Sequence, residues 1–252
     1  MKIIENGFDI IPLMSGHSHW STIQRKKQAE DKKRGKLFSR FSREIAMAAR
    51  NGGGARLRLA IENAKNANMP KVNIERAIKK GKGTGGKGRL EEVVYEGFGP
   101  GGVGIIVEVV TDNRQRTIAE IKKIFEKKGG SLAGPGAVSH QFKLMGLLVV
   151  EKGGDSDKAI LEIMDLGVED VEEVEDVVEI YTEPKDLEKT REKLESLGYK
   201  VKSFALTRKP LVEIPVKNKK TADRILELMS VLEEHVDVQK TAANFDIDPK
   251  LL

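Results

Sequence analysis

Basic side chains recur at helical spacing near the start of the chain and could bind phosphate. The recurring positions are Lys33, Lys36, Arg40, Arg43 and Arg50. At about 100° per residue they fall on one face of the helix that residues 29–50 predict, roughly opposite the apolar stripe that contains Phe38, Phe41 and Ile45. Lysine and arginine side chains in such a row can contact a phosphate backbone. The pattern therefore predicts an anion-binding surface.

Two basic triplets extend this surface. They are Arg25-Lys26-Lys27 and Lys32-Lys33-Arg34. Between residues 24 and 50 the acidic side chains are Glu30, Asp31 and Glu44. An ordinary exposed helix mixes charges of both signs, so the scarcity of acid favours phosphate contact over the alternative of a solvated face. Trp20 lies beside the triplets, where it could stack on a base or fill the core of a small helical bundle, and both interpretations stay open.

A second candidate anion site lies where a predicted strand meets a predicted helix. The segment reads Thr111-Asp112-Asn113-Arg114-Gln115-Arg116-Thr117. Helix N-termini bind anions, and Arg114 and Arg116 could add phosphate contacts there. The alternative is a helix cap with two solvated arginines, and the sequence does not separate the two.

The patterns that could indicate an enzyme are weak. Residues 81–88 nearly match a phosphate-binding loop, but Gly88 stands where a Ser or Thr hydroxyl would bind Mg²⁺, and the segment follows a predicted helix instead of a strand. His17 and His19 have no third metal ligand nearby, and the chain has no cysteine. The carboxylates of residues 169–179 alternate with valine, as on a half-exposed strand. The sequence therefore predicts no catalytic residue, no metal and no cofactor.

The charge of the chain is divided between its two ends. Before Glu91 there are 21 basic and 7 acidic side chains, a formal charge of +14, whereas the rest has 23 basic and 32 acidic ones, a charge of −9. A basic segment joined to an acidic body indicates a polyanionic partner, most often nucleic acid. Without cysteine or a long apolar run, the sequence favours a cytoplasmic protein with no membrane segment, and we expect a monomer.

The order of predicted elements indicates an α+β, multidomain fold. Residues 1–13 are interpreted as an extension ahead of a natural start at Met14, with a short docking strand as the alternative. Three amphipathic helices predict a basic helical bundle over residues 14–83, with Asn73 capping the third helix and Gly81 ending it. Residues 146–207 follow the order β-α-β-β-α-β of a ferredoxin-like unit. We expect this unit to be inserted into a discontinuous α/β middle domain of residues 84–145 plus 208–252, because the last strand-helix-strand has little core of its own; the alternative is three consecutive domains.

Several short motifs resemble one known family. They are Ser15-Gly16-His17-Ser18-His19-Trp20, Lys36-Leu37-Phe38-Ser39-Arg40, Asn68-Met69-Pro70, Tyr95-Glu96-Gly97, Thr111-Asp112-Asn113-Arg114 and Gly134-Pro135-Gly136-Ala137-Val138. Together they resemble the YebC/PmpR family from about Met14 to the C-terminus. The chain departs from the family pattern at His19, where lysine is frequent, and at Gly53-Gly54-Ala55, where Asp-Pro often opens the second helix.

This resemblance implies three domains, of which the middle one is discontinuous. Bacterial members are generally described as probable transcriptional regulators that bind DNA. Mitochondrial relatives activate translation, and bacterial relatives have been linked to the ribosome. We therefore expect a regulator of transcription that binds double-stranded DNA, with a translation factor that binds ribosomal RNA or the ribosome as the alternative.

Overall fold

Three helices form a small unit at the start of the described chain. The structure is a computed structural model that describes residues 31–83, 90–152, 156–174 and 176–251. The helices are α1 (Asp31–Arg50), α2 (Gly54–Asn66) and α3 (Lys71–Gly81). Their apolar faces meet in a core around Ile45, Ala60 and Ile74. We call residues 31–83 the helical unit.

The end of α3 packs closely on α1. The sequence predicts that Asn73 caps this helix, but the cap is Pro70, three residues earlier, and Asn73 lies in the first turn of α3. A Cβ atom on Gly81 would lie 2.2 Å from the carbonyl oxygen of Ala46 on α1. Gly81 is the last residue of α3 and Gly83, with a φ of 79°, follows it. The glycine at position 81 is therefore required by the close approach of two helices.

The next part of the chain forms a four-stranded antiparallel sheet, which we call the first sheet. Its strands lie in the order β3 (Ser131–Ala133), β1 (Glu91–Phe98), β2 (Gly104–Thr111) and β9 (Val238–Ala243). Two helices, α4 (Arg114–Lys127) and α7 (Lys219–Glu234), cover one face, with Phe125 and Leu228 in the core between them. An asparagine caps each helix: Asn113 accepts from the backbone N–H of Arg116 at 3.0 Å, and Asn218 from that of Thr221 at 2.9 Å.

A buried carboxylate holds the loop that leads out of β3. Glu96 on β1 accepts backbone hydrogen bonds from Gly136 at 2.8 Å, Val138 at 2.7 Å and Ser139 at 2.8 Å. Burial alone would raise the pKa of Glu96, but these three hydrogen bonds outweigh it and leave the pKa below its ordinary value. The Tyr-Glu-Gly motif is thus joined by hydrogen bonds to the Gly-Pro-Gly-Ala-Val motif.

The second sheet has the predicted ferredoxin-like arrangement. Its strands lie in the antiparallel order β5 (Asp170–Val174), β6 (Val177–Thr182), β4 (Phe142–Glu151) and β7 (Val201–Pro210). Helices α5 (Ser156–Met164) and α6 (Leu187–Ser196) pack on one face, where Ile163, Leu194 and Phe204 are buried. Two short strands, β8 (Ile214–Val216) and β10 (Phe245–Ile247), form a separate parallel pair. The α+β, multidomain class predicted from the sequence is confirmed.

Two long strands join the regions that the sequence separates. Strand β4 begins only at Phe142, because residues 139–141 form a turn of 3₁₀ helix. From there β4 pairs with β7 as far as Val150. Both strands run through the positions 145/146 and 207/208 at which the sequence predicts domain boundaries. The boundaries themselves stay a prediction.

Candidate nucleic-acid interface

The structure describes only part of the predicted basic surface. Trp20, Arg25, Lys26 and Lys27 lie outside the described residues. Four further positions belong to the first two turns of α1, but their side chains are not described: Lys32, Lys33, Arg34 and Lys36. Their proposed contact with phosphate stays a prediction.

Arg40 on α1 is turned towards strand β9. Its Nε donates to the carbonyl oxygen of Val238 at 3.1 Å and its Nη2 to that of Gln239 at 2.9 Å. Burial lowers the pKa of Arg40, although the charges of Glu233 and Glu44 act in the opposite direction. The guanidinium is therefore a partly buried cation whose hydrogen-bond acceptors at β9 are neutral.

Arg43, one turn further along α1, pairs with a carboxylate. Its Nη1 lies 2.6 Å from Oδ1 of Asp237, a residue with no exposed surface, and also contacts the carbonyl oxygen of Val236. Oδ2 of Asp237 accepts from Thr117 at 2.7 Å and from Arg116 at 2.8 Å. Burial would raise the pKa of Asp237, but these hydrogen bonds and the two arginine charges hold it below its ordinary value.

Arg50 completes the contact of α1 with the first sheet. Its Nη1 donates to the carbonyl oxygen of Leu90 at 2.8 Å. Beside it, Ala46 and Met47 of α1 pack against Leu90 and Val110. The second half of the basic stripe thus has partners within the chain, an arrangement that the helical periodicity did not predict.

The two arginines at the start of α4 have different surroundings. Arg116 bridges the buried Asp237 and the exposed Asp112, whose Oδ1 lies 3.1 Å from its Nη2. The hydrogen bond to Asp237 is the main cause that raises the pKa of Arg116. Arg114 is exposed, and its carbonyl oxygen accepts from the hydroxyl of Tyr95 at 3.3 Å. Of the pair, Arg114 is the one that faces solvent without an ion pair in the structure's described part.

Among the side chains that the structure describes in the helical unit, those of helix α3 form the most basic exposed surface. We call this surface the α3 basic face, and its exposed cations are Lys71, Arg76, Lys79, Lys80 and Lys82. Glu75 is the one acidic residue of α3, and its Oε1 lies 4.0 Å from Nζ of Lys71, whose side chain is 90% exposed. The sequence shows Arg76, Lys79 and Lys80 as charges that suit a helix C-terminus. The buried positions of α3 all fall on the other half of the helix, so its cations share the exposed half.

The helical unit also touches the second sheet. Nδ2 of Asn63 on α2 lies 3.4 Å from the carbonyl oxygen of Phe204, and Glu62 lies 3.3 Å from Nη1 of Arg191. The guanidinium of Arg191 stands over the Phe204 ring at 4.9 Å from its centre. The two sheets are joined in turn by Arg208 and Glu108, with 2.7 Å between Nε and Oε1.

One cluster has the composition of a metal site, but its donor atoms already have hydrogen-bond partners. Donor atoms of Glu120, His235 and Asp237 lie within 4.8 Å of one another. However, Nε2 of His235 is 2.8 Å from Glu120, Nδ1 is 3.1 Å from the backbone nitrogen of Asp237, and both oxygens of Asp237 have the partners described above. The arrangement is that of a hydrogen-bond network. Within the described residues, no helix combines the length and apolarity needed to span a bilayer.

Comparison with known proteins places these features in a family context. The profile described as "TACO1/YebC protein N-terminal domain" matches residues 18–84, and that described as "TACO1/YebC second and third domain" matches residues 90–245. A protein of Dictyoglomus turgidum named "probable transcriptional regulatory protein" is 48% identical over 246 residues, which is 95% of this chain and 98% of that protein. One of Aquifex aeolicus with the same name is 45% identical over 245 residues, with 95% and 98% covered.

A solved structure shares the fold. The crystal structure of a conserved hypothetical protein from Aquifex aeolicus has a TM-score of 0.86 to this chain at 44% sequence identity. The match covers 93% of this chain and 99% of that one. The similarity thus extends over the helical unit and both sheets.

Proposed function

Because the chain belongs to the TACO1/YebC family, whose curated relatives are named as probable transcriptional regulatory proteins, we propose that it is a cytoplasmic, non-enzymatic regulator that binds nucleic acid through its helical unit. Duplex DNA is the proposed target, as the naming of the relatives favours. Family membership supports the role of a regulator. The charge of the helical unit supports the contact with nucleic acid.

The observation that carries the proposal is the α3 basic face. Residues 31–83 carry 15 basic and 4 acidic side chains, and α3 displays its cations to solvent on one half of the helix. Each phosphate that a lysine or arginine neutralises releases condensed counterions, which gives affinity that does not depend on sequence. An exposed face of this charge density is suited to a phosphate backbone.

Two further groups would extend this contact. Lys33 and Lys36 continue the helical stripe towards the start of α1, ahead of the arginines that contact residues 236–239. Arg114 lies exposed at the N-terminus of α4, where the backbone N–H groups favour an anion. We propose all three as phosphate contacts.

A second candidate is binding to ribosomal RNA, and the composition of the α3 basic face favours it. Sequence is read in the major groove of duplex DNA, chiefly by Arg, Asn and Gln side chains that bond to base edges. On α3 these are Arg76 and Asn73, and Oδ1 of Asn73 lies 3.5 Å from Nη1 of Arg76. The other cations of the face are lysines, which act on phosphate as point charges and suit structured RNA as well as duplex DNA.

A nucleotide-hydrolysing enzyme is the third and weakest candidate. Its phosphate loop would have to include residues 81–88, but Gly81 ends α3 and β1 follows, whereas such a loop connects a strand to a helix. Residues 84–89 lie outside the described part. Release of phosphate from ATP or GTP by the purified protein at a rate above that of a heat-treated sample would contradict the non-enzymatic proposal.

The decisive experiment compares two ligands at several salt concentrations. Affinity for a short duplex DNA and for purified ribosomes is measured between about 0.05 and 0.3 M salt, since the slope of log affinity against log salt reports how many phosphates the protein neutralises. We expect tight duplex binding at about 0.15 M salt. Weak duplex binding with tight ribosome binding would favour the RNA candidate.

The binding surface is tested by charge reversal. The triple variant Lys71→Glu, Arg76→Glu, Lys80→Glu is expected to weaken binding and to reduce the magnitude of the DNA salt slope by up to about 0.9 for each phosphate that is no longer neutralised. The matched control reverses three exposed lysines elsewhere: Lys122→Glu, Lys127→Glu and Lys189→Glu. An equal decrease of affinity in both triple variants would show that only net charge matters and that the α3 basic face is not the binding surface.

A further inference from the structure

The phosphate-binding stripe of α1 is interrupted by a contact within the chain. We define the α1–β9 contact as the hydrogen bonds and ion pair that join Arg40 and Arg43 to residues 236–239. By helical period these two arginines lie on the same face as Lys33 and Lys36. We propose that the α1–β9 contact is autoinhibitory: it occupies Arg40 and Arg43, and a nucleic-acid backbone competes for them. The inference rests on the proposed function, because it concerns regulation of the same surface.

The partners of Arg40 are weak competitors for phosphate. Its acceptors at β9 are the neutral main-chain carbonyl groups of Val238 and Gln239. An ionised phosphate offers a full opposite charge and can accept two parallel hydrogen bonds from one guanidinium, whereas each carbonyl group is neutral. Burial also lowers the pKa of Arg40, so its charge is held in an unfavourable environment. Transfer to a phosphate would relieve this.

Asp237, the partner of Arg43, has a second arginine partner and stays paired without Arg43. Oδ1 of Asp237 accepts from Arg43, while Oδ2 accepts from Thr117 and Arg116. If Arg43 left, the buried carboxylate would keep one arginine and one hydroxyl. Removal of a sole partner would leave an uncompensated buried charge, which is strongly destabilising. Asp237 avoids this penalty, so the α1–β9 contact can open at moderate cost.

Besides the α1–β9 contact, the helical unit meets the first sheet at an apolar group and contacts Phe204 and Arg191 through Asn63 and Glu62. The apolar part groups Ala46 and Met47 of α1 with Leu90 and Val110. The helical unit has its own core, centred on Ile45, and the residues of this core belong to the unit itself. It can therefore remain folded when the α1–β9 contact opens, as competition by a ligand requires.

The first test weakens the α1–β9 contact at its carboxylate. Asp237→Asn removes the charge that holds Arg43 and keeps an acceptor for Thr117. When only the open molecules bind, the apparent affinity equals the intrinsic affinity multiplied by the open fraction. A variant that opens the α1–β9 contact is therefore expected to bind a short duplex DNA and ribosomal RNA about threefold to tenfold more tightly. The control Glu126→Gln makes the same change of net charge at an exposed site on α4. An increase no larger than that of the control would overturn the proposal.

A second test holds the contact closed without altering either arginine. Arg56 on α2 forms an exposed, bidentate ion pair with Glu92 on β1, so cysteines at these positions lie across the same interface. The natural chain has no cysteine, so a short bismaleimide would join only Arg56→Cys to Glu92→Cys. The cross-linked protein should bind duplex DNA and ribosomal RNA about threefold to tenfold more weakly than the same variant capped with N-ethylmaleimide.

The outcomes separate this inference from the proposed function. If the wild-type protein binds neither nucleic acid, the proposed function fails. If it binds, and reversal of the α3 basic face abolishes binding while the cross-link and Asp237→Asn leave it unchanged, the proposed function stands and the autoinhibitory contact is disproved. Because capped and cross-linked samples have the same sequence, a folding defect of Asp237→Asn does not prevent this decision.

Discussion

Arg43 and Asp237 form an ion pair between the helical unit and the first sheet, with 2.6 Å between Nη1 and Oδ1. The Asp237 side chain has no exposed surface, whereas that of Arg43 is 21% exposed. A basic residue that helical periodicity assigns to a phosphate-binding face is thus also a docking residue. The pair connects the question of what the chain binds with the question of how its parts are held together.

The first prediction concerns removal of the Asp237 carboxylate. Asp237→Ala leaves Arg43, Arg116 and Thr117 without their shared acceptor. We expect the free energy of unfolding to fall by about 3 kcal/mol, the lower end for a broken buried pair, because both arginines keep some contact with solvent. The measurement is urea unfolding followed by circular dichroism.

Asp112→Ala serves as the control for this prediction, since it removes an exposed carboxylate partner of the same Arg116. An exposed ion pair contributes little, so we expect a change below about 0.5 kcal/mol. Similar decreases in the two variants would contradict a special role of the buried carboxylate.

The second prediction is a pH dependence that originates at Glu96. The pKa of Glu96 is depressed below its ordinary value of 4.5 by three backbone hydrogen bonds, so the folded state binds fewer protons than the unfolded state in mild acid. This contribution to stability is present above about pH 4.5 and is lost as the pH falls through the lowered pKa. Glu96→Gln, which has one acceptor oxygen, should be destabilised by about 1–3 kcal/mol at neutral pH.

The difference between wild type and Glu96→Gln should therefore shrink as the pH is lowered from 7 to about 3. Thermal unfolding midpoints across this range provide the measurement. Glu126→Gln, at an exposed position on α4, is expected to show no such convergence. A constant difference between wild type and Glu96→Gln at all pH values would disprove the mechanism.

The third prediction contrasts two helical glycines in the same unit. A Cβ on Gly81 would lie 2.2 Å from the carbonyl oxygen of Ala46, whereas a Cβ on Gly35 would have no atom within 4 Å. Gly81→Ala must push α3 away from α1, and we expect it to destabilise the unit by about 1–3 kcal/mol. Gly35→Ala should stabilise by about 0.5–1 kcal/mol through helix propensity. Hydrogen exchange of the helical unit measures both, and equal effects would contradict the close approach.

The sequence predicts helices and strands well where the local signal is strong. Strand-forming residues flank a Gly-Pro-Gly-Gly turn in the hairpin of β1 and β2, and the helix at Lys219–Glu234 follows an asparagine cap, so local sequence indicates both to within about one residue. The short strands β3 and β10 have no such local signal, because each has three residues and exists only through pairing with a distant partner. Tertiary contacts decide such elements.

The candidate site shows a related limit of sequence interpretation. Helical period places Arg40 and Arg43 on one face, but it does not say what lies against that face. In the sequence Asp237 lies between two valines, and nothing in that local pattern indicates a buried acceptor for three side chains. Only the position of β9 beside α1, which is set by long-range pairing with β2, reveals it.

The fourth prediction separates the two arginines at the start of α4, which the sequence treats alike. Arg116 is held by Asp237, whereas Arg114 is exposed. Arg116→Ala should lower the free energy of unfolding by about 1 kcal/mol, allowing for its partial exposure, since Asp237 loses one of two arginine partners. Arg114→Ala should change it by less than about 0.5 kcal/mol, because no ion pair is broken.

For nucleic-acid binding we expect the opposite order, with the larger effect in Arg114→Ala and the smaller effect in Arg116→Ala. If Arg114 contacts one phosphate, Arg114→Ala will weaken duplex binding and reduce the magnitude of the salt slope by about 0.9. Arg116→Ala should leave the slope nearly unchanged, because its guanidinium is committed to Asp237 at 2.8 Å. Salt titrations of both variants beside wild type provide the measurement. An unchanged slope for Arg114→Ala would show that its exposure at the N-terminus of α4 reflects only a solvated helix cap.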